Sequence, residues 1–195
     1  MLLLGQRLIG TPVMSLQVGA KIATTVCAII DPTNLQIIAY EVEGPLLDQS
    51  PSFIRIADIR ELTSLGMIVD SSDELVSLDD VIKLKQVHDL DFQLVGLRVI
   101  DERSHKLGKV DDYIVDTDSF YIQQLSVRGG IIASLSTAST IIHRSQIVTI
   151  TDTVITVKST DKKLTSLATT GAIHRNYVNP FRKPAEPQPE AAATD

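Results

Sequence analysis

The 195-residue chain holds one cysteine, Cys27, no tryptophan, and only 4% aromatic residues. A lone cysteine excludes an intramolecular disulfide framework and any all-cysteine metal site. So few aromatics leave little with which to stack nucleobases or line a flat cofactor slot. Positive charge is also in deficit: 18 Lys and Arg stand against 24 Asp and Glu, for a net charge of −6. That balance argues against broad electrostatic binding to nucleic acid, although a local basic face remains possible. No run approaches the ~18 uninterrupted apolar residues of a membrane span. The apolar opening Met1-Leu2-Leu3-Leu4 lacks a basic lead and is broken at Gln6 and Arg7, so it does not read as a signal peptide. The expectation is a soluble cytoplasmic protein.

What is present is said nearly twice. Leu4-Gly5-Gln6-Arg7-Leu8-Ile9 returns as Val95-Gly96-Leu97-Arg98-Val99-Ile100, and Val18-Gly19-Ala20-Lys21 as Leu107-Gly108-Lys109-Val110. Ile29-Ile30-Asp31 returns as Ile114-Val115-Asp116, and Tyr40 to Gly44 as Leu125 to Gly129. The offset is 91 residues at Gly5 and Gly96, 89 at Gly19 and Gly108, and 85 at Asp31 and Asp116. Small steps of this kind are what loop-length changes between two copies of one fold produce.

The apolar residues are mostly β-branched and come in short runs separated by turn-formers, which predicts an all-β fold. In the first copy Lys21–Ile30 and Gln36–Glu43 are strands about the turn Asp31-Pro32-Thr33-Asn34. Phe53–Ile56 and Met67–Val69 are later strands, with a helical turn over Asp58–Leu62 between them. In the second copy Thr149–Val157 reads as a hairpin turning at Asp152. Cys27, among Val26, Ala28 and Ile29, reads as a small buried strand residue.

Residues 1–70 and 92–158 are thus read as two small all-β copies, each a sandwich or a barrel, joined by a connector over 71–91. The spacing of Val81, Leu84 and Val87 gives that connector a short helix whose apolar side chains, with Ile82 and Leu90, need a surface to bury against. Residues 159–183 read as a strap on the second barrel or a docking segment. The strap is favoured because exposed aromatics are a liability in a free chain; if the segment docks a partner instead, Arg175, Tyr177, Val178 and Phe181 are the candidate partner-docking residues. From about Pro184 to 195 the Pro, Ala and Glu composition predicts a disordered tail.

Val95-Gly96-Leu97-Arg98-Val99-Ile100-Asp101, Lys106-Leu107-Gly108-Lys109-Val110, Ile114-Val115-Asp116 and Ile142-His143-Arg144-Ser145-Gln146-Ile147-Val148 together resemble the PRC-barrel pattern. That family includes the cytoplasmic β-domain of the photosynthetic reaction-centre H subunit and the C-terminal domain of a ribosome-maturation factor. The second copy carries the pattern well; the first departs from it at Pro12-Val13-Met14-Ser15. The resemblance implies two tandem small barrels serving as docking modules, and carries no catalytic residue, cofactor or metal with it. Physically, Gly108 marks a close approach or a positive φ, and Ser145 is expected to cap the turn after His143.

Asp111, Asp112, Asp116 and Asp118 beside His105 form an oxygen-rich cluster, but Asp116-Thr117-Asp118-Ser119 reads as turn chemistry and lacks EF-hand spacing. His88, His105, His143 and His174 stand at no helical metal-pair spacing. Ser145 lacks a nucleophile-elbow frame, and Arg128-Gly129-Gly130 lacks the Lys and helix of a phosphate loop. The expected function is therefore a non-enzymatic adaptor that binds a protein partner. An RNA-linked role in ribosome assembly is the alternative, and a solvated basic segment is the plain reading of Lys158, Lys162, Lys163, Arg175, Arg182 and Lys183.

Overall fold

Stiff Val, Ile and Thr side chains pack well on a pleated surface, and the runs rich in them are strands. The computed structural model describes residues 1–45, 47, 49–129 and 139–159, and Met1–Ser159 form one unit. In chain order come β1 (Leu2–Leu4), β2 (Pro12–Ser15), β3 (Ala20–Asp31), β4 (Gln36–Glu43), β5 (Ser52–Arg55), β6 (Glu61–Thr63), β7 (Gly66–Val69) and β8 (Leu75–Val76). The helix α1 (Ile82–His88) precedes β9 (Arg98–Asp101), β10 (Lys106–Asp116), β11 (Tyr121–Arg128), β12 (Thr140–His143), β13 (Ile147–Ile150) and β14 (Val154–Val157). The protein is all-β.

One pairing scheme occurs in both halves. Strands β2, β3, β4 and β5 pair antiparallel in order, β7 joins β2 in parallel, and β6 pairs β7. Strands β9, β10, β11 and β12 do the same, β14 joins β9 in parallel, and β13 pairs β14. Register follows: Asp31 faces Gln36 as Asp116 faces Tyr121, and both long hairpins shift register at the matching place, between Thr25 and Cys27 and between Val110 and Asp112. Within each half, a 3₁₀ turn (Ile56–Asp58 or Arg144–Gln146) leads from one outer strand to the next. Among the described residues β12 does not pair with β13, nor β5 with β6.

Several expectations are corrected. The Gly10 N–H bonds the Thr25 carbonyl as the Gly96 N–H bonds that of Val110, each at 2.8 Å, so Gly96 matches Gly10 and not Gly5. Ala23 faces Val13 as Gly108 faces Val99, while Gly19 lies in the β2–β3 turn. Glycine serves turns and close approaches alike, so its identity does not reveal which. The helical turn lies at Ile56–Asp58, and Glu61 and Leu62, expected to be part of it, begin the strand Glu61–Thr63. Cys27 is only half-buried; burial, then the charge of Glu41, pushes its thiol pKa up.

The two halves share a continuous core in which Tyr40, Ile54 and Val13 cluster with Leu125, Val115 and Ile155. They meet where β4 and β11 pair antiparallel at Gln36 and Tyr121. The joint is reciprocal: Ile37 N–H donates to Phe120 O and Ile122 N–H to Leu35 O, both at 2.9 Å. The covering segments are exchanged. Strand β1, which leads into the first half, pairs with β10 of the second. Helix α1, which leads into the second, packs Leu84 and Val87 on Ile29, Ala39 and Phe53 of the first. Of the connector's other apolar residues, Ile82 is 77% and Leu90 56% exposed, because both lie off the face that meets the sheet.

Candidate functional site

The acidic residues singled out above do not converge. Asp116 and Asp118 each lie 3.2 Å from the Met1 amine, Asp111 pairs with Arg128 at 2.9 Å, and Asp112 accepts the Tyr113 N–H at 2.7 Å. Among the described residues no His, Cys, Asp and Glu group is arranged to hold a metal. Bonds from the Ser119 hydroxyl and the terminal amine hold the Asp116 carboxyl below its usual range. His105 faces Asp101, its Nδ1 2.9 Å from the carboxylate.

The turn after β12 is capped by His143, not by Ser145. His143 Nδ1 accepts the Ser145 N–H at 3.2 Å, and Gln146 Oε1 accepts the His143 N–H at 2.9 Å. Ser145 Oγ lies 2.9 Å from the same imidazole nitrogen, so this His–Ser contact belongs to the cap. The candidate docking residues Arg175, Tyr177, Val178 and Phe181, with the whole of 160–195, lie outside the described residues.

A groove on the β9–β10 hairpin is the feature that sequence reasoning missed. Its apolar surface comes from Val95, 49% exposed, and Leu107, 36% exposed, with part-buried Ile100 and Val154. Exposed Arg98, Lys106, Lys109 and Arg128 rim it. Arg128 is tied to Asp111; Arg98, Lys106 and Lys109 make no ion pair among the described residues. The matching first-half positions are Pro12, Lys21, Thr24 and Glu43, so three of the four cations belong to the second half alone. The four cations are scattered over thirty residues, and only strand pairing gathers them, which is why no sequence motif announces the site.

Gly108 makes the groove possible. Its φ is +147°, and a Cβ there would stand 2.1 Å from the Arg128 carbonyl oxygen. Both readings of this glycine, close approach and positive φ, therefore hold at once. The turn at Arg144–Gln146 returns the chain to β13, which completes the order β13-β14-β9-β10-β11. Residues 88–164 match the family model of the PRC-barrel domain. The residues that line the groove all fall inside that match. No curated protein matches the chain. Among the described residues no helix is long and apolar enough to cross a membrane.

At the tip of the same hairpin Asp101 ties the turn together. Its carboxylate accepts the backbone N–H of Arg103 at 2.9 Å and of His105 at 2.8 Å. Burial pushes its pKa up, but the His105 and Arg103 bonds outweigh burial and hold it below the ordinary value. A carboxyl depressed in the folded state contributes stability above the unfolded pKa of about 4, and loses it as pH falls through the folded value. The melting temperature is thus expected to fall between pH 5 and pH 2–3 (about the carboxylate range), and by less in Asp101→Asn. An identical acid response in that variant would remove Asp101 from the account.

Proposed function

We propose that the protein is a non-enzymatic interaction module of two PRC-like barrels, residues 1–70 being a divergent copy of the PRC-barrel domain, and that it docks a protein partner in the β9–β10 groove. One observation carries this reading: exposed Val95 and Leu107 lie inside a rim of cations that the rest of an acidic chain does not share. A partner segment with apolar side chains flanked by carboxylates fits such a surface. Covering the apolar area contributes roughly 25 cal/mol per Å², while Arg98, Lys106 and Lys109 set orientation and speed encounter. Nucleic acid, as in a ribosome-assembly role, fits less well, because the floor is aliphatic and offers no ring for a base to stack on.

The test compares partners retained by the wild-type chain and by Lys106→Glu/Lys109→Glu, with and without ribonuclease. Both substitutions are on exposed residues, so the melting temperature should stay within about 2 °C, the effect of a surface change. A protein held by the wild type, insensitive to ribonuclease and lost from the double variant, is the expected result. Equal retention by the variant would exclude the groove, and a ribonuclease-sensitive partner would favour the RNA-linked role.

A further inference from the structure

The strands of the groove set like charges side by side. Arg98 on β9 stands directly opposite Lys109 on β10, and Lys109 directly opposite Arg128 on β11. All three residues are exposed, and directly opposed residues hold their Cβ atoms about 4.5–5.5 Å apart on one face. Three cations thus form a row across three strands. Like charges opposed in this way destabilise a sheet. The fold does not require them, since the same register positions in the first half hold Pro12, Thr24 and Glu43. A rule of sheet pairing that one half keeps and the other breaks points to a binding role.

Asp111 answers one charge of the row, lying 2.9 Å from Nη2 of Arg128. Three positive charges less one negative leave two, on Arg98 and Lys109 of neighbouring strands. We propose that this pair is the seat of a phosphoryl monoester carried by a side chain of the docked protein. The inference rests on the reading that the groove docks a protein, and adds the chemistry that the partner must carry. A phosphoryl monoester has a charge of about −1.5 to −2 near neutral pH and three acceptor oxygens. The Arg98 guanidinium can take two of them through its planar fork, and the Lys109 ammonium the third. A carboxylate brings one charge and two oxygens, so it satisfies one member of the pair and leaves the other. Val154, opposite Arg98 on β14, and exposed Val95 and Leu107 supply apolar contact for the flanking residues of the partner.

Methyl phosphate is the probe, titrated into the full chain at constant ionic strength and about pH 7.5, where the monoester is a dianion. Backbone amide shifts of Arg98, Lys109 and Arg128 are the readout, and saturable shifts centred on this row are the expected result. Lys109→Thr, which installs the first-half residue, should weaken binding by about tenfold or more. That variant should melt at or above the wild-type temperature, since it removes two like-charge pairs, so weaker binding would not reflect unfolding. Lys21→Thr removes an equal charge from an exposed first-half position and should leave binding within about twofold. Succinate, whose two charges sit on separate carboxylates, should bind more weakly than methyl phosphate. Equal or tighter binding of succinate would overturn the phosphoryl assignment, as would shifts that never saturate or that Lys109→Thr leaves in place. Partner capture separates this inference from the reading beneath it. A protein lost from Lys106→Glu/Lys109→Glu but still held by the wild type after phosphatase treatment would keep the docking role and overturn the phosphoryl group. Methyl phosphate bound at the row with no protein captured would keep the anion site and overturn its protein source.

Discussion

Gly108→Ala is expected to lower stability by about 3 kcal/mol, from backbone strain and a clash that cannot relax cheaply. The added methyl group would meet the Arg128 carbonyl oxygen at 2.1 Å, and that oxygen belongs to a strand paired with β10. Neither partner is the free end of a side chain. At roughly 2–4 °C per kcal/mol for a chain of this size, the melting temperature should drop by about 6–12 °C. Gly96→Ala is the control. Its φ is +94°, but nothing lies within 4 Å of the added carbon, so only the conformational cost of about 1 kcal/mol applies. Equal losses in the two variants would show that β10 and β11 separate easily at this point.

Phe53→Ala should cost roughly 3–5 kcal/mol, the usual range for a buried aromatic truncated in a core. Phe53 is fully buried between β5 and α1 and makes an edge contact with His88, ring centroids 5.6 Å apart. The larger consequence is for α1. Seven residues are too few for a stable isolated helix, so this one persists through its packing. Loss of Phe53 removes the centre of the surface on which Leu84 and Val87 rest. Amide exchange over Ile82–His88 should accelerate along with the drop in melting temperature, whereas Ile82→Ala, on the exposed side, should change stability by less than about 0.5 kcal/mol. A helix that stays protected in Phe53→Ala would mean that its anchor lies elsewhere.

Features made by neighbouring residues were legible in the sequence. The turn at Asp31-Pro32-Thr33-Asn34 is one: the Asp31 carboxylate accepts the Thr33 N–H at 2.9 Å, a contact that two-residue spacing alone ensures. The Thr149–Val157 hairpin and the Leu84 and Val87 stripe are others. Features made by distant residues were not. Matching Gly5 with Gly96 followed similar flanking residues, but the hydrogen bonds that define the match involve strands fourteen or so positions away. Ser145 was the natural choice for a cap by residue type, yet His143 holds the extended position from which a side chain can reach the turn. The basic groove rim requires β9, β10 and β11 to be paired before Arg98, Lys109 and Arg128 become neighbours.

The exchanged covering segments also impose an order on biosynthesis. As the chain is made, β1 emerges first, but its partner on β10 follows more than a hundred residues later. At about 5–20 residues per second, that leaves Leu2, Leu3 and Leu4 without their strand for several seconds or longer. The first half is served sooner, since β8 and α1 arrive directly after β7 and close over β5. The nascent first half can therefore become sealed on one flank while its leading strand still waits for the second half, and release of that strand from solvent marks the moment when both halves exist together.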